Sequence, residues 1–241
     1  LGRSRANYES AGWSPLKGLT DSLAGKLTAR LASEGISVRA LYTHLPPYIE
    51  EAPRDALIVP LYPQFSSALA GAIAKRLPGR KVAGPWYGRE DLIALLADGV
   101  GKALEGAAPG RTALMLIAHG LPESFAAAGD PYLDQVRATC GALAARFPGH
   151  AASISYIGRS GPLKWSAPEA GEVIDAMKGV DRIAAAYVSF PLDNIEVLHD
   201  IDRVLREKAA ARGIREFVRA PLPNDSDAFA GVLEAVIRGN M

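Results

Sequence analysis

Residues 112 to 118, Thr-Ala-Leu-Met-Leu-Ile-Ala, are apolar at nearly every position and show no alternation. A strand with one wet face alternates, so this run predicts a parallel strand covered on both faces. Parallel neighbours need crossover connections of about a dozen residues or more, usually helical, and this commits much of the chain to an α/β architecture. The run ends at His119 and Gly120. In open parallel sheets the carboxyl ends of the strands face the ligand crevice, and glycine lets the backbone turn there without a side chain in the way.

The remaining segments supply the partners that such a strand requires. Leu16, Leu19, Leu23, Leu27 and Leu31 recur every three or four residues, which predicts an amphipathic helix over 15–34 with Ser14 as N-cap and Pro15 at its first position. Strands are expected at 38–42, 56–61 and 81–83, with a short helix over 48–53, a helix from Ser66 or Ser67 to about Lys75, and another over 89–104. After the Gly- and Pro-containing stretch 105–110 the alternation resumes. Strands are expected at 112–118, 152–157, 182–188 and 216–219, with helices over 132–147, from after Pro168 to about 178, 195–212 and 227–238. Two similar halves are expected, a Rossmann-like domain over 1–104 and a second over 105–241, each a parallel sheet flanked by helices.

The charge balance, 27 Lys and Arg against 26 Asp and Glu, gives no whole-chain attraction to nucleic acid or an anionic membrane. No stretch approaches the ~20 apolar residues that span a bilayer. The single cysteine, Cys140, rules out an intramolecular disulfide and fits a reducing, cytoplasmic setting. The start, Leu-Gly-Arg-Ser-Arg-Ala-Asn-Tyr, has no apolar signal region and reads as the interior of a longer chain.

Two places gather residues capable of chemistry. His119 at a strand's carboxyl end can be a satisfied structural residue or a reactive one, but Gly120, Pro122, Gly129 and Pro131 shape a long loop after it. In Asp193-Asn194-Ile195-Glu196-Val197-Leu198-His199-Asp200, Asp193 is a candidate N-cap, and Glu196 and Asp200 are four apart, on one side of a helix. They read either as an acidic first turn that complements the helix dipole or as a cation or proton site facing His119. Dinucleotide-binding, Walker and nucleophile-elbow motifs are absent, as are paired cysteines for zinc. Imidazole and carboxylate suit a borderline dication such as ferrous iron.

The chain resembles the ferrochelatases over almost its whole length. The motifs are Val59-Pro60-Leu61-Tyr62-Pro63-Gln64-Phe65-Ser66; Ala118-His119-Gly120-Leu121-Pro122 with Gly129-Asp130-Pro131-Tyr132 and Gln135; Arg159-Ser160-Gly161-Pro162 with Trp165 and Pro168; Asp193-Asn194-Ile195-Glu196-Val197-Leu198; and Asn224-Asp225-Ser226. The resemblance implies a chelatase-type fold with the active-site cleft between its two domains, in which ferrous iron is inserted into a porphyrin to make haem. Protoporphyrin IX is favoured over coproporphyrin III. It implies His119 and Glu196 as facing catalytic groups and metal ligands, Asp200 as the next member of an acidic row, and Tyr8, Ser14, Trp165 and Asn194 as porphyrin-binding residues. Iron enters as substrate, no cofactor is required, and the lone Cys140 leaves no set of cysteines for an iron-sulfur cluster. The expected partners are porphyrin and ferrous iron, without nucleic acid; peripheral membrane contact and oligomeric state are left open. Alternatives are a catalytically weak tetrapyrrole-binding member and a cobalt or nickel chelatase of related fold.

Three departures accompany the resemblance. Asn194 stands where many members have histidine, Ile157 and Gly158 replace a commonly polar pair, and the family's opening strand, Asn-Leu-Gly-Thr-Pro loop and helix have no counterpart before Tyr8. The expected consequence is a first sheet lacking one strand and an exposed edge.

Overall fold

The computed structural model describes residues 14–241. The predicted central run forms β3, Thr112–His119, and His119 is its last residue. It lies inside a four-stranded parallel sheet in the order β4-β3-β5-β6, where β4 is Ala151–Ile157, β5 is Arg182–Tyr187 and β6 is Glu216–Arg219. A second parallel sheet pairs β1, Leu57–Ile58, with β2, Lys81–Val82. The fold is therefore α/β, with two parallel sheets flanked by helices.

The absence of alternation in β3 has a direct structural cause. Leu114, Leu116 and Ala118 pack into one buried cluster with α3 (Glu90–Ala103), α5 (Tyr132–Ala144) and α8 (Asp227–Arg238). Met115 and Ile117 point the other way, into a cluster with Ile174 of α6 (Ala170–Ala176) and with Val197, Ile201 and Leu205. Because strand side chains alternate, His119 shares the face of Met115 and Ile117, the face covered by the segment that carries Glu196.

The helix expected over 195–212 begins with two α-helical residues, 195 and 196, becomes a π-helix at Val197–Leu205 and continues as α7, Arg206–Ala211. π-helical segments are rare and are found disproportionately at functional sites. The helix α1, Leu16–Leu31, packs on α8, so residues from both ends of the described chain share the larger buried cluster.

Several expectations in the first half are corrected. The strand expected at 38–42 does not form: both backbone groups of Val38 bond the Thr28 hydroxyl, at 2.9 and 3.0 Å, leaving them unavailable to a neighbouring strand. Tyr42 makes only an isolated bridge to Tyr48. The helix expected from Ser66 begins at Ala70, because the Ser66 and Ser67 hydroxyls turn to Asp130. A short helix at Glu123–Ala127, α4, was not expected. Among the described residues, no helix is long and apolar enough to cross a membrane.

Candidate active site

Within the larger sheet the strand order runs second, first, third, fourth by position along this half of the chain, so the direction of winding reverses between β3 and β5. A crevice opens at such a switch point, beyond the strands' carboxyl ends. His119 ends β3, and Glu196 follows the loop after β5. The two meet there: His119 Nδ1 lies 3.1 Å from Glu196 Oε2, with side-chain exposures of 34% and 37%. This pair brings together the two residues that the sequence singled out for chemistry, and solvent reaches both.

The backbone of His119 is held on both sides. Its N–H donates to Ser189 Oγ at 2.9 Å, and the Tyr132 hydroxyl donates to its carbonyl at 2.9 Å. Tyr132 is placed by the Gly-Asp-Pro-Tyr motif, since Asp130 accepts the Tyr132 N–H at 3.0 Å. The same carboxylate accepts from Ser67 N at 2.7 Å and from the Ser67 and Ser66 hydroxyls at 2.6 and 3.1 Å. Gln135 Oε1 accepts from Phe65 N at 2.7 Å, and buried Gln64 donates to Thr139 and to the Val188 carbonyl. Two of the sequence motifs are thus spent on fastening the first half of the chain to the walls of the His119 loop.

Glu196 is presented by a cap. Asn194 is buried, its Oδ1 accepts from Glu196 N at 2.9 Å and Val197 N at 3.3 Å, and its Nδ2 donates to the Leu192 carbonyl. Asn194, rather than the expected Asp193, is the N-cap, and its side chain is occupied by the backbone instead of standing free for a ligand. Asp193 works from behind. It exchanges hydrogen bonds with Asn224, at 2.7 and 2.8 Å, and lies 3.1 Å from Arg219, whose Nε donates to Asp202 at 2.7 Å. Arg219 thereby ties the entry of the π-helix to its interior, with all three side chains largely shielded, at 15 to 26% exposure. Asn194→Ala removes two acceptor bonds and is expected to cost about 1 kcal/mol of stability, measurable as a lower denaturation midpoint.

The electrostatics follow from the pairing. Burial disfavours the imidazolium of His119, but the hydrogen bond and charge of Glu196, with a further contribution from Asp200, outweigh it and raise the pKa above 6.5. Burial likewise pushes Glu196 up, and the hydrogen bond and charge of His119, helped by the Tyr187 hydroxyl, bring it below 4.5. Tyr187 donates to Glu196 at 3.4 Å, and its phenol is held well above its usual pKa, chiefly by burial and then by the Glu196 charge. The pairing therefore favours the imidazolium and the carboxylate relative to either group alone, and such a pair can surrender its proton when a dication arrives.

Asp200 and Trp165 lie near this pair. Asp200 is close enough to raise His119 and is bonded to His199 Nδ1 at 2.7 Å. Trp165 is partly buried in the loop beside His119: its indole N–H donates to the Ser160 carbonyl at 3.1 Å and its ring edge borders Gly120. Ser14 accepts from Leu16 N at 3.4 Å at the start of α1, which begins at Leu16. Tyr8 lies outside the described residues. Tyr187, Ser189 and Arg219 were not singled out from the sequence, and Tyr132 entered there only as part of the Gly-Asp-Pro-Tyr motif. Tyr187 could have been found by parity, since it shares a face with Ile183 and Ala185 at the carboxyl end of a buried strand. Among the described residues no three His, Cys, Asp or Glu side chains converge to hold a metal ion.

The family model described as Ferrochelatase matches residues 1–241. A ferrochelatase of Thermosynechococcus vestitus is 33% identical over 98% of this chain and 68% of its own length. One from Desulfotalea psychrophila is 30% identical over 99% of this chain and 81% of its own. Among solved structures, CbiX, described as the terminal enzyme for biosynthesis of siroheme in denitrifying bacteria, superposes with a TM-score of 0.69 at 18% identity, covering 94% of this chain and 93% of that one. SirB from Bacillus subtilis with Fe3+ gives a TM-score of 0.58 at 14% identity, with coverages of 93% and 90%. At these identities the two structures speak for the fold.

Proposed function

The chain belongs to the ferrochelatase family, and from that premise we propose that it inserts ferrous iron into a porphyrin, protoporphyrin IX in preference to coproporphyrin III, to make haem. The observation that carries this reading is the His119–Glu196 pair at the switch point, two groups that can exchange protons and offer an imidazole nitrogen and a carboxylate to one dication. Inserting Fe2+ into a neutral porphyrin expels two pyrrole protons, so the site needs proton acceptors as much as metal ligands. His119 takes a pyrrole proton when neutral. Glu196, ionised through most of the pH range, receives the second or steadies the incoming ion.

The surrounding residues have supporting roles. Tyr187 and Asn194 hold Glu196 in place, and Ser189 and Tyr132 hold the His119 backbone. Asp200 extends the acidic character beyond Glu196, and Trp165, whose ring borders Gly120, offers an aromatic surface to a macrocycle. Ser14 is assigned to the mouth of the same pocket, which we place between units 1–104 and 105–241. We assign the enzyme to the cytoplasm. The iron is substrate, and no cofactor is required.

The test is anaerobic incubation with Fe2+ and protoporphyrin IX, followed by absorbance, with coproporphyrin III and with Co2+ and Ni2+ in parallel. Formation of haem with Fe2+ is the expected result. Porphyrin binding without metal insertion would instead indicate a tetrapyrrole-binding protein, and turnover confined to Co2+ or Ni2+ a chelatase of different metal choice.

A further inference from the structure

The Asn194 cap fixes Glu196 only with respect to its own turn, because all three of its side-chain hydrogen bonds, to Leu192, Glu196 and Val197, stay within 192–197. What holds that turn against the sheet comes from the loop between β6 and α8. Asn224 N donates to the Pro191 carbonyl at 3.0 Å, its Oδ1 accepts from Asp193 N at 2.7 Å, and its Nδ2 donates to Asp193 Oδ2 at 2.8 Å. Both ends of the Asn224 side chain are thus occupied by the residue just before the cap.

The backbone of Asn224 makes this choice of residue informative. Its φ is +49°, the one positive value at a non-glycine position among the described residues. An L side chain crowds the following carbonyl there, so a turn serving the chain path alone would favour glycine. The neighbouring contacts hold the loop without using the Asn224 side chain: Ser226 N donates to the Pro223 carbonyl at 3.1 Å, Ser226 Oγ accepts from Phe229 N at 3.2 Å to cap α8, and Asp225 accepts from the Ser22 hydroxyl of α1 at 2.6 Å. The two hydrogen bonds to Asp193 are what glycine would forfeit.

We propose that Asn224 is a positioning residue for Glu196: it clamps the turn over 191–194 to the loop beyond β6 at three points, and so sets where the carboxylate meets His119. Without the clamp the Asn194 turn keeps its shape but shifts as a unit, carrying Glu196 away from the imidazole. The catalytic consequence rests on the ferrochelatase reading, whereas the placement of Glu196 does not.

The experiment compares Asn224→Gly with Ser226→Ala. Glycine suits φ +49° and removes both side-chain bonds, leaving only the contact with the Pro191 carbonyl. In Asn224→Gly, kcat for anaerobic Fe2+ insertion into protoporphyrin IX is expected to fall on the order of 10- to 100-fold, with the porphyrin KM held within about twofold. Ser226→Ala removes the α8 cap from the same loop and should lower the melting temperature while retaining the wild-type kcat. A crystal structure of Asn224→Gly should show His119 Nδ1 and Glu196 Oε2 beyond hydrogen-bonding distance. The proposal is overturned if the 3.1 Å contact persists in that structure, if kcat is unchanged, or if Ser226→Ala loses as much kcat. An inactive wild-type protein would remove the ferrochelatase reading and leave the crystallographic result to decide the placement. Should Asn224→Gly not fold, Asn224→Asp alone and combined with Asp193→Asn decides. The single change sets two carboxylates against each other, whereas the pair reverses amide and carboxylate and restores both hydrogen bonds. Recovery of kcat and of the His119–Glu196 contact in the double variant supports the clamp, and a double variant that folds yet stays as slow as Asn224→Asp contradicts it.

Discussion

His119→Ala is expected to lower the turnover of iron insertion on the order of 10²- to 10⁴-fold, the range lost when a positioned general base is removed. The loss should appear in kcat, with porphyrin binding largely preserved. His119 is a third exposed and is fastened to its surroundings mainly through its backbone, so the fold should survive the change. The expected signature is a folded protein that still quenches porphyrin fluorescence but forms metalloporphyrin very slowly. An unchanged kcat would separate the imidazole from the chemistry.

Glu196→Gln should move the pH dependence of the reaction in a direction fixed by the geometry. Proton acceptance needs neutral His119, so kcat/KM for the wild-type protein rises with pH through a midpoint above 6.5. Glutamine removes the carboxylate that raises His119 and leaves burial, which lowers it, opposed only by Asp200. The midpoint therefore shifts toward acid, while the plateau rate falls because the proposed second ligand and proton acceptor is lost. Stability follows the same groups. The contribution from raising His119 is present in full below 6.5 and lost as pH rises through its raised pKa. The contribution from lowering Glu196 is present above 4.5 and lost as pH falls through its lowered pKa. Glu196→Gln should accordingly depress the melting temperature most between 4.5 and 6.5, with the difference narrowing at alkaline pH. A profile whose midpoint does not move would contradict the pairing.

Sequence periodicity was most informative where both faces of an element are buried. The run 112–118 is apolar throughout because the larger sheet has a cluster on each face, and β6 and α8 match the expected 216–219 and 227–238. It was least informative where a side chain competes with backbone pairing. Nothing in the apolar pattern of 38–42 reveals that the Thr28 hydroxyl satisfies Val38 from another element. The π-helix left a fainter trace: buried Val197, Ile201, Leu205 and Ala209 recur strictly every four residues, without the intervening threes of an α-helical stripe. Such spacing suits a turn wider than about 3.6 residues.

The candidate site divides in the same way. His119 and Glu196 could be singled out because imidazole and carboxylate at strand ends carry an obvious chemistry. Their supports are ordinary residues whose roles exist only in three dimensions. Arg219 on β6 joins Asp193 and Asp202, which are nine residues apart, and Asp130 binds serines more than sixty positions earlier. Asn194 has a role that its motif did not announce. Its place in a motif suggested contact with the porphyrin, whereas burial and three backbone hydrogen bonds make it the cap that aims Glu196.

His119 and Glu196 form one pair of groups 3.1 Å apart at the carboxyl end of a parallel sheet. The most direct measurement is the pH-rate profile of anaerobic Fe2+ insertion into protoporphyrin IX for the wild-type protein and His119→Ala. The predicted result is haem formation that rises through a midpoint above 6.5 in the wild-type protein, with both the rate and that limb lost in the variant. Wild-type turnover with the same limb in His119→Ala would contradict it.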